Sequence, residues 1–296
     1  PYKSSGEGPE YEAAWALGSS CGIHDLAAIC HVNFLCNEYG MDPITLGSTY
    51  ACAMELFDKG YLTADEIGGT LAFGDVSAIV EFARKVAYKE GFGVRLGEGS
   101  YRLAESCGHP ELSMSVKKQE MPAYDGRCMQ CIGLEYATSN RGGCHVRGYM
   151  TSPELLGIPQ KADPLTTEGK APLLKLFQDL TAVVDSAGIC LFVTFGIGLG
   201  EIGAMLRPCT GYSYTDDEIL ACGDRIWNLE KLYNLDEGFT KEDDTLPPRL
   251  LAEPLPDGQG KGNVCRLGDM LGEYYQVRGW DESGVPTPDK LAELDL

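Results

Sequence analysis

The sequence is poor in basic residues and in histidine. Lys and Arg total 24 against 44 Asp and Glu, a formal charge of −20, and only four histidines occur. Such a balance argues against a nucleic-acid backbone or an anionic membrane as the main partner. It also leaves imidazole chemistry to a handful of positions. No window approaches 18 uninterrupted apolar residues, and Pro1 opens a polar stretch, so neither a transmembrane helix nor a signal peptide is expected. Low-complexity segments are missing, and so is any Cys-x-x-Cys-x-x-x-Cys run of the kind that holds an iron–sulfur cluster. One close pair, Cys128 and Cys131, is a weak metal signal without a second pair.

What is present suits a folded chain with a substantial core. A length of 296 residues accommodates one large or two ordinary domains. The 37 glycines call for many constrained turns. Twelve cysteines is a high count, but Cys30, Cys36 and Cys52 sit in apolar, helix-like segments, where a free thiol acts as a small hydrophobe. A reducing compartment is expected, hence the cytoplasm.

Helical periodicity dominates. His24 to Asn37, Pro43 to Asp58 and Asp75 to Lys89 read as helices, and Gly47 marks a close approach by something bulky. Thr63 with Glu66 and Thr215 with Glu218 form capping boxes. Pro172 suits the first turn of a helix running through Val184, and Thr287-Pro288 opens a final one. Residues 111 to 120 alternate as a strand or extended connector, which places a domain boundary near residue 115. Met121 to Met150 has no clean period and reads as an ordered loop lining something. The expected class is mainly α, in two irregular helical domains, 1–114 and 115–296.

One short pattern occurs twice: Asn37-Glu38-Tyr39-Gly40-Met41-Asp42 and Asp185-Ser186-Ala187-Gly188-Ile189-Cys190. Each has a polar acceptor, a glycine three residues later, an aliphatic or Met residue, and a final residue able to carry charge. Each closes an amphipathic helix. The glycines either terminate helices or let a heterocycle approach acceptors on the turn. Cys190 is either a buried structural thiol or a soft-metal ligand. His145, after Asn140-Arg141-Gly142-Gly143-Cys144, is either structural or a hydrogen-bond or proton donor. Glu12, in Gly8-Pro9-Glu10-Tyr11-Glu12, is a solvated helix-start carboxylate or a buried acid–base group. His31 reads as a packing histidine, and His24 and His109 as peripheral.

Taken with Tyr101 to Lys118, Tyr136 to His145, Phe177 to Phe195 and the Gly279-Trp280 region, these blocks resemble the aldehyde:ferredoxin oxidoreductase family, collinearly along the whole chain. The resemblance implies two helical domains that cover a cofactor lying on an N-terminal β-rich domain, absent here. Residues 1–114 would be a cofactor-covering domain and 115–296 a cofactor- and cluster-binding one. The implied cofactor is tungsten or molybdenum held by two pyranopterins, with a magnesium ion bridging their phosphates. Asn37 and Met41 would contact one pterin, with Asp42 closing that cofactor-binding motif, and Asp185 and Ile189 would contact the other, with Cys190 closing the second motif. Asn37 and Met41 depart from the family's Asp and Leu, which weakens the first contact. Cys190 matches the fourth thiolate of a 4Fe–4S cluster, whose other three ligands are expected upstream of Pro1.

Glu12 and His145 match the family's glutamate and histidine beside the metal. The implied reaction converts an aldehyde and water into a carboxylic acid, with two protons and two electrons released to ferredoxin or a similar small carrier. Further partners would be the N-terminal part of the same subunit and other copies or electron-transfer subunits. The alternatives are another redox member of the family, acting on a sugar aldehyde or an aromatic thioester, and a non-catalytic cofactor-binding or assembly protein.

Overall fold

The computed structural model describes residue 2 and residues 5–296. It divides into two compact units, Pro1–Ala123 and Tyr124–Leu296. Among the described residues it is helical, with one two-stranded sheet, in agreement with the mainly α class read from the sequence.

The first unit holds α1 (Tyr11–Leu17), α2 (Leu26–Tyr39), α3 (Pro43–Asp58), α4 (Ala64–Ile67), α5 (Val76–Ala87), α6 (Gly93–Leu96) and α7 (Ser100–Ser106). Local chemistry starts these helices. The Asp25, Asp42 and Asp75 side chains accept the first free amides of α2, α3 and α5, and Thr63 and Glu66 form the expected capping box on α4. Val32, Tyr50, Leu56, Ile79 and Phe82 lie in the shared core. The bulky neighbour expected at Gly47 is helix α1 itself. A Cβ there would stand 2.4 Å from the Ala16 carbonyl carbon, so glycine is what lets α3 cross α1 this closely.

The extended stretch becomes β1 (Ser115–Val116) paired antiparallel with β2 (Gln119–Glu120), turning through Lys117 and Lys118 at positive φ. The expected boundary at 114/115 meets the start of this hairpin, whereas the compact units divide after Ala123. The reason is local. β2 packs on α3, and the buried Glu120 carboxylate accepts the Ser100 amide at 2.7 Å, which binds the hairpin to the first unit.

The second unit holds α8 (Gln130–Thr138), α9 (Lys170–Ser186), α10 (Leu199–Thr210), α11 (Asp216–Asp236), α12 (Pro248–Ala252), α13 (Gly268–Arg278) and α14 (Pro288–Leu294). α9 lies against α11 so tightly that a Cβ on Gly223 would stand 2.1 Å from the Asp179 carbonyl oxygen. A charged layer closes the other side of this pair. Arg278, fully buried, bonds Asp179, Asp224 and Gln178, and Lys175 and Lys290 also reach Asp224. Burial alone would raise the Asp224 carboxyl, but Arg278 and the two lysines hold it below its usual range. No helix among the described residues is long and apolar enough to cross a membrane.

Candidate functional site

The two repeated segments fold into one and the same turn. In the first, Gly40 follows α2 at φ 68°, its amide faces the Asn37 carbonyl at 3.4 Å, and the Met41 amide donates to the Cys36 carbonyl at 2.9 Å. In the second, Gly188 follows α9 at φ 67°, its amide donates to the Asp185 carbonyl at 3.1 Å, and the Ile189 amide to the Val184 carbonyl at 3.1 Å. This is the left-handed glycine cap of a helix C-terminus. Helix termination and ligand approach are therefore compatible. A Cβ on either glycine would meet no described atom within 4 Å, so the outer side of each turn is open.

The capping bonds decide what each turn can offer. The Met41 and Ile189 amides are used internally, and their side chains pack against the two cores. What remains outward is a set of acceptors: backbone carbonyls and the exposed Asn37 and Asp185 side chains. Acceptors suit a heterocycle bearing N–H donors. Asp42 is partly committed, because its Oδ1 caps α3 by accepting from Ile44 at 2.7 Å and Thr45 at 3.1 Å. With Glu10, Asn33 and Asn37 it lines a groove of about 340 Å³.

All twelve cysteines are free. Cys190 is exposed, which removes the buried-thiol reading and leaves an accessible sulfur directly after the second turn. Among the described residues no group of three or more His, Cys, Asp or Glu could hold a metal ion. The Cys128–Cys131 pair has structural duties. Cys128 Sγ donates to the Asp125 carbonyl and Cys131 Sγ to the Lys170 carbonyl, and burial pushes the Cys131 thiol well up.

Glu12 lies in the first turn of α1 and is only 6% exposed, so the solvated reading is set aside. Its Oε2 accepts the Ala123 amide at 2.7 Å, while Oε1 is buried with no partner among the described residues. Burial raises its carboxyl, against the opposing pull of the Ala123 N–H. A carboxyl with one anchored and one idle oxygen is built to take or give a proton.

In the second unit His145 stands between Tyr124 and Tyr149, with ring centroids 5.6 and 6.2 Å away. Burial, and then Arg141, lower its imidazole to about 4. It is neutral near pH 7 and can donate one hydrogen bond from an uncharged ring. The other histidines are less site-like: His31 is half-buried on α2, His24 is exposed, and His109 stacks on Tyr61 and bonds Glu111.

Three polar residues escaped the sequence reading. Arg147 donates to Asp185 Oδ2 at 3.0 Å and bonds both oxygens of Glu230 on α11. Glu135, on α8 and fully buried, accepts the Tyr149 and Met150 amides at 2.9 Å each. Burial raises the Glu135 carboxyl well above its usual value. Arg147 could have been noticed as a cation two residues after His145 in an acidic chain. Glu135 carries no such signal, because only the fold brings it to those amides.

A family model described as "Aldehyde ferredoxin oxidoreductase, domains 2 & 3" matches residues 1–296. The chain is 51% identical over 294 residues to the tungsten-containing aldehyde ferredoxin oxidoreductase of Pyrococcus furiosus, covering 98% of this chain and 49% of that protein. It is 50% identical to the protein of the same description in Thermococcus kodakarensis, with the same coverage. It thus spans about half the length of these curated relatives. A more distant relative, 31% identical over 314 residues, is the aliphatic sulfonate oxidoreductase WOR-like subunit of Pyrococcus furiosus, which it covers to 47%. In fold it is similar to a chain of the BamBC active-site complex of benzoyl coenzyme A reductase in complex with 1,5-dienoyl-CoA. That similarity has a TM-score of 0.79 at 16% identity, over 97% of this chain and 49% of that one. From its first residue to its last, the chain belongs to the aldehyde ferredoxin oxidoreductase family and corresponds to its domains 2 and 3.

Proposed function

We propose that the protein to which this chain contributes oxidises aldehydes to carboxylic acids at a tungsten or molybdenum bis-pyranopterin centre and passes the electrons through a 4Fe–4S cluster to ferredoxin. The observation that carries this reading is the pair of matching turns at Gly40 and Gly188, each offering acceptors to a ligand rich in N–H donors. Asn37, Asp42 and the Met41 carbonyl would serve one pterin; Asp185 and the Ile189 carbonyl would serve the other. Cys190, exposed, would give one thiolate to the cluster. The bound centre supplies the two-electron oxidation and the cluster the onward path for electrons.

The chain's own residues do the rest. Burial raises the Glu12 carboxyl above the usual carboxylate range, which favours its holding a proton, while its Oε2 stays anchored on Ala123. Its idle Oε1 is the atom that would accept a proton from water and later release it. His145 is neutral and would donate a hydrogen bond to the aldehyde oxygen as charge develops there. For each aldehyde and water consumed, one carboxylic acid, two protons and two electrons leave.

Metal, iron and pterin analysis of the full-length protein, with an aldehyde panel read by dye reduction, tests the proposal. Acetaldehyde and benzaldehyde are expected to be oxidised. Substituting Glu12→Gln should lower kcat roughly 10²- to 10⁴-fold while metal content stays at the wild-type level. Folded full-length protein without tungsten or molybdenum, or with turnover of a thioester alone, would overturn it.

A further inference from the structure

Between His145 and the second turn lies a side chain that neither the family description nor the reaction assigns. Arg147 is two residues after His145, with its side chain 14% exposed. One guanidinium nitrogen, Nη1, donates to Asp185 Oδ2 at 3.0 Å, and the other, Nη2, is shared between the two Glu230 oxygens. The Arg147 Cζ also lies 5.4 Å from the Trp227 ring centroid. Glu230 and Trp227 belong to α11, so the guanidinium is fixed from below by one helix and reaches the end of another.

The loop bearing Arg147 is held at both ends. Upstream, Asn140 Nδ2 donates to the Trp227 carbonyl at 3.0 Å, and Asn234 Nδ2 to the Asn140 carbonyl at 2.8 Å. Downstream, Glu135 takes the Tyr149 and Met150 amides. A loop pinned in this way cannot follow Asp185; Asp185, with its side chain 48% exposed, must settle where the guanidinium is. Left alone, an exposed aspartate distributes over several rotamers, and a ligand would have to restrict it on binding.

We propose that Arg147 is a positioning residue that locks the Asp185 acceptor and the His145 loop into one fixed relation, so that the second turn meets its pterin pre-aimed. Three features support it. The planar fork serves two carboxylates from separate nitrogens, which a lysine ammonium does less well. Two carboxylates on one cation leave a net negative charge, so Asp185 stays a strong acceptor. Its Oδ2 takes Arg147, leaving Oδ1 for a ligand N–H.

The proposal rests on the functional reading above, and the test separates the two. Wild-type full-length enzyme, R147K, R147M and E230Q would be purified with cofactor. Pterin and metal loss would be followed over time, the midpoint potential of the metal centre by spectroscopic redox titration, and the melting temperature in parallel. R147M should lose pterin about 10-fold faster than wild type or more, with a displaced midpoint potential. R147K, keeping the charge but not the fork, should fall between, and E230Q, freeing the guanidinium from α11, should resemble R147K. If R147M fails to fold, R147K and E230Q against wild type carry the same comparison.

Wild-type retention and potential in R147M, or a lower melting temperature with both unchanged across the variants, would overturn the positioning role. A wild-type enzyme containing no pterin overturns the functional reading itself, and that is visible before any variant is made.

Discussion

Asn37 and Asp185 stand at equivalent places in two turns whose glycines have φ of 68° and 67°, yet their surroundings diverge. Asn37 borders a groove with Asn33, Glu10 and Asp42. Asp185 is ion-paired to Arg147, itself fastened to Glu230. The backbone device is repeated because helix termination admits few solutions. Side-chain charge is under no such constraint. One turn therefore offers a neutral amide and the other a charge-assisted acceptor, and the two holds on a bound heterocycle should differ in strength.

The strongest way to break this comparison is to remove both acceptors. In the full-length enzyme Asp185→Ala should weaken pterin retention roughly 10- to 100-fold, the scale of a hydrogen bond to a charged group. Asn37→Ala should cost about 10-fold or less, the scale of a neutral one. Pterin dissociation rates of the two variants check this, and equal losses would refute the asymmetry.

A second experiment probes the part that is alike. Gly40→Ala and Gly188→Ala each force a side chain into left-handed backbone without any steric contact. Each should destabilise by about 1–2 kcal/mol, and by the same amount. Denaturant midpoints would show it. A marked difference would mean that one turn is constrained by something beyond its own conformation.

The smallest expected effect concerns acid. His145, in the second unit, is lowered by burial to about 4, so between roughly pH 6.5 and 4 the unfolded chain takes up a proton that the folded one refuses. Stability should fall as pH falls through that window, and His145→Gln should flatten the fall. Glu12, in the first unit, is shifted the other way: its contribution is present at low pH and lost as pH rises through its raised value. Glu12→Gln should therefore leave the acid limb of the unfolding curve steep. Thermal melts between pH 4 and 7 distinguish the two variants.

Elements with one wet face were legible from the sequence. α3 appears at Pro43–Asp58, as its periodicity indicates, and the capping boxes at Thr63 and Thr215 are both formed. α8 was not. All nine of its residues, Gln130–Thr138, are buried, so no polar side exists to give the segment a period. The same asymmetry applies to the candidate site. The repeated turns, Cys190, Glu12 and His145 carry local marks, whereas Glu135, Arg147 and Glu230 meet their partners across 14, 38 and 83 residues of sequence. Long-range bonds of this kind leave no short pattern to find.

The close crossing of α9 and α11 also acts as a fulcrum. The two helices touch backbone to backbone at Gly223 and Asp179. From there α11 runs about 10 Å to Glu230 and α9 about 9 Å to Asp185, at the usual rise per residue. The guanidinium of Arg147 spans the two far ends. A tilt of about 5° at the fulcrum would move either end by nearly 1 Å, enough to break a hydrogen bond. A side chain as small as alanine at position 223 would act as a wedge, and its effect would be felt two helical turns away, at the mouth of the second turn.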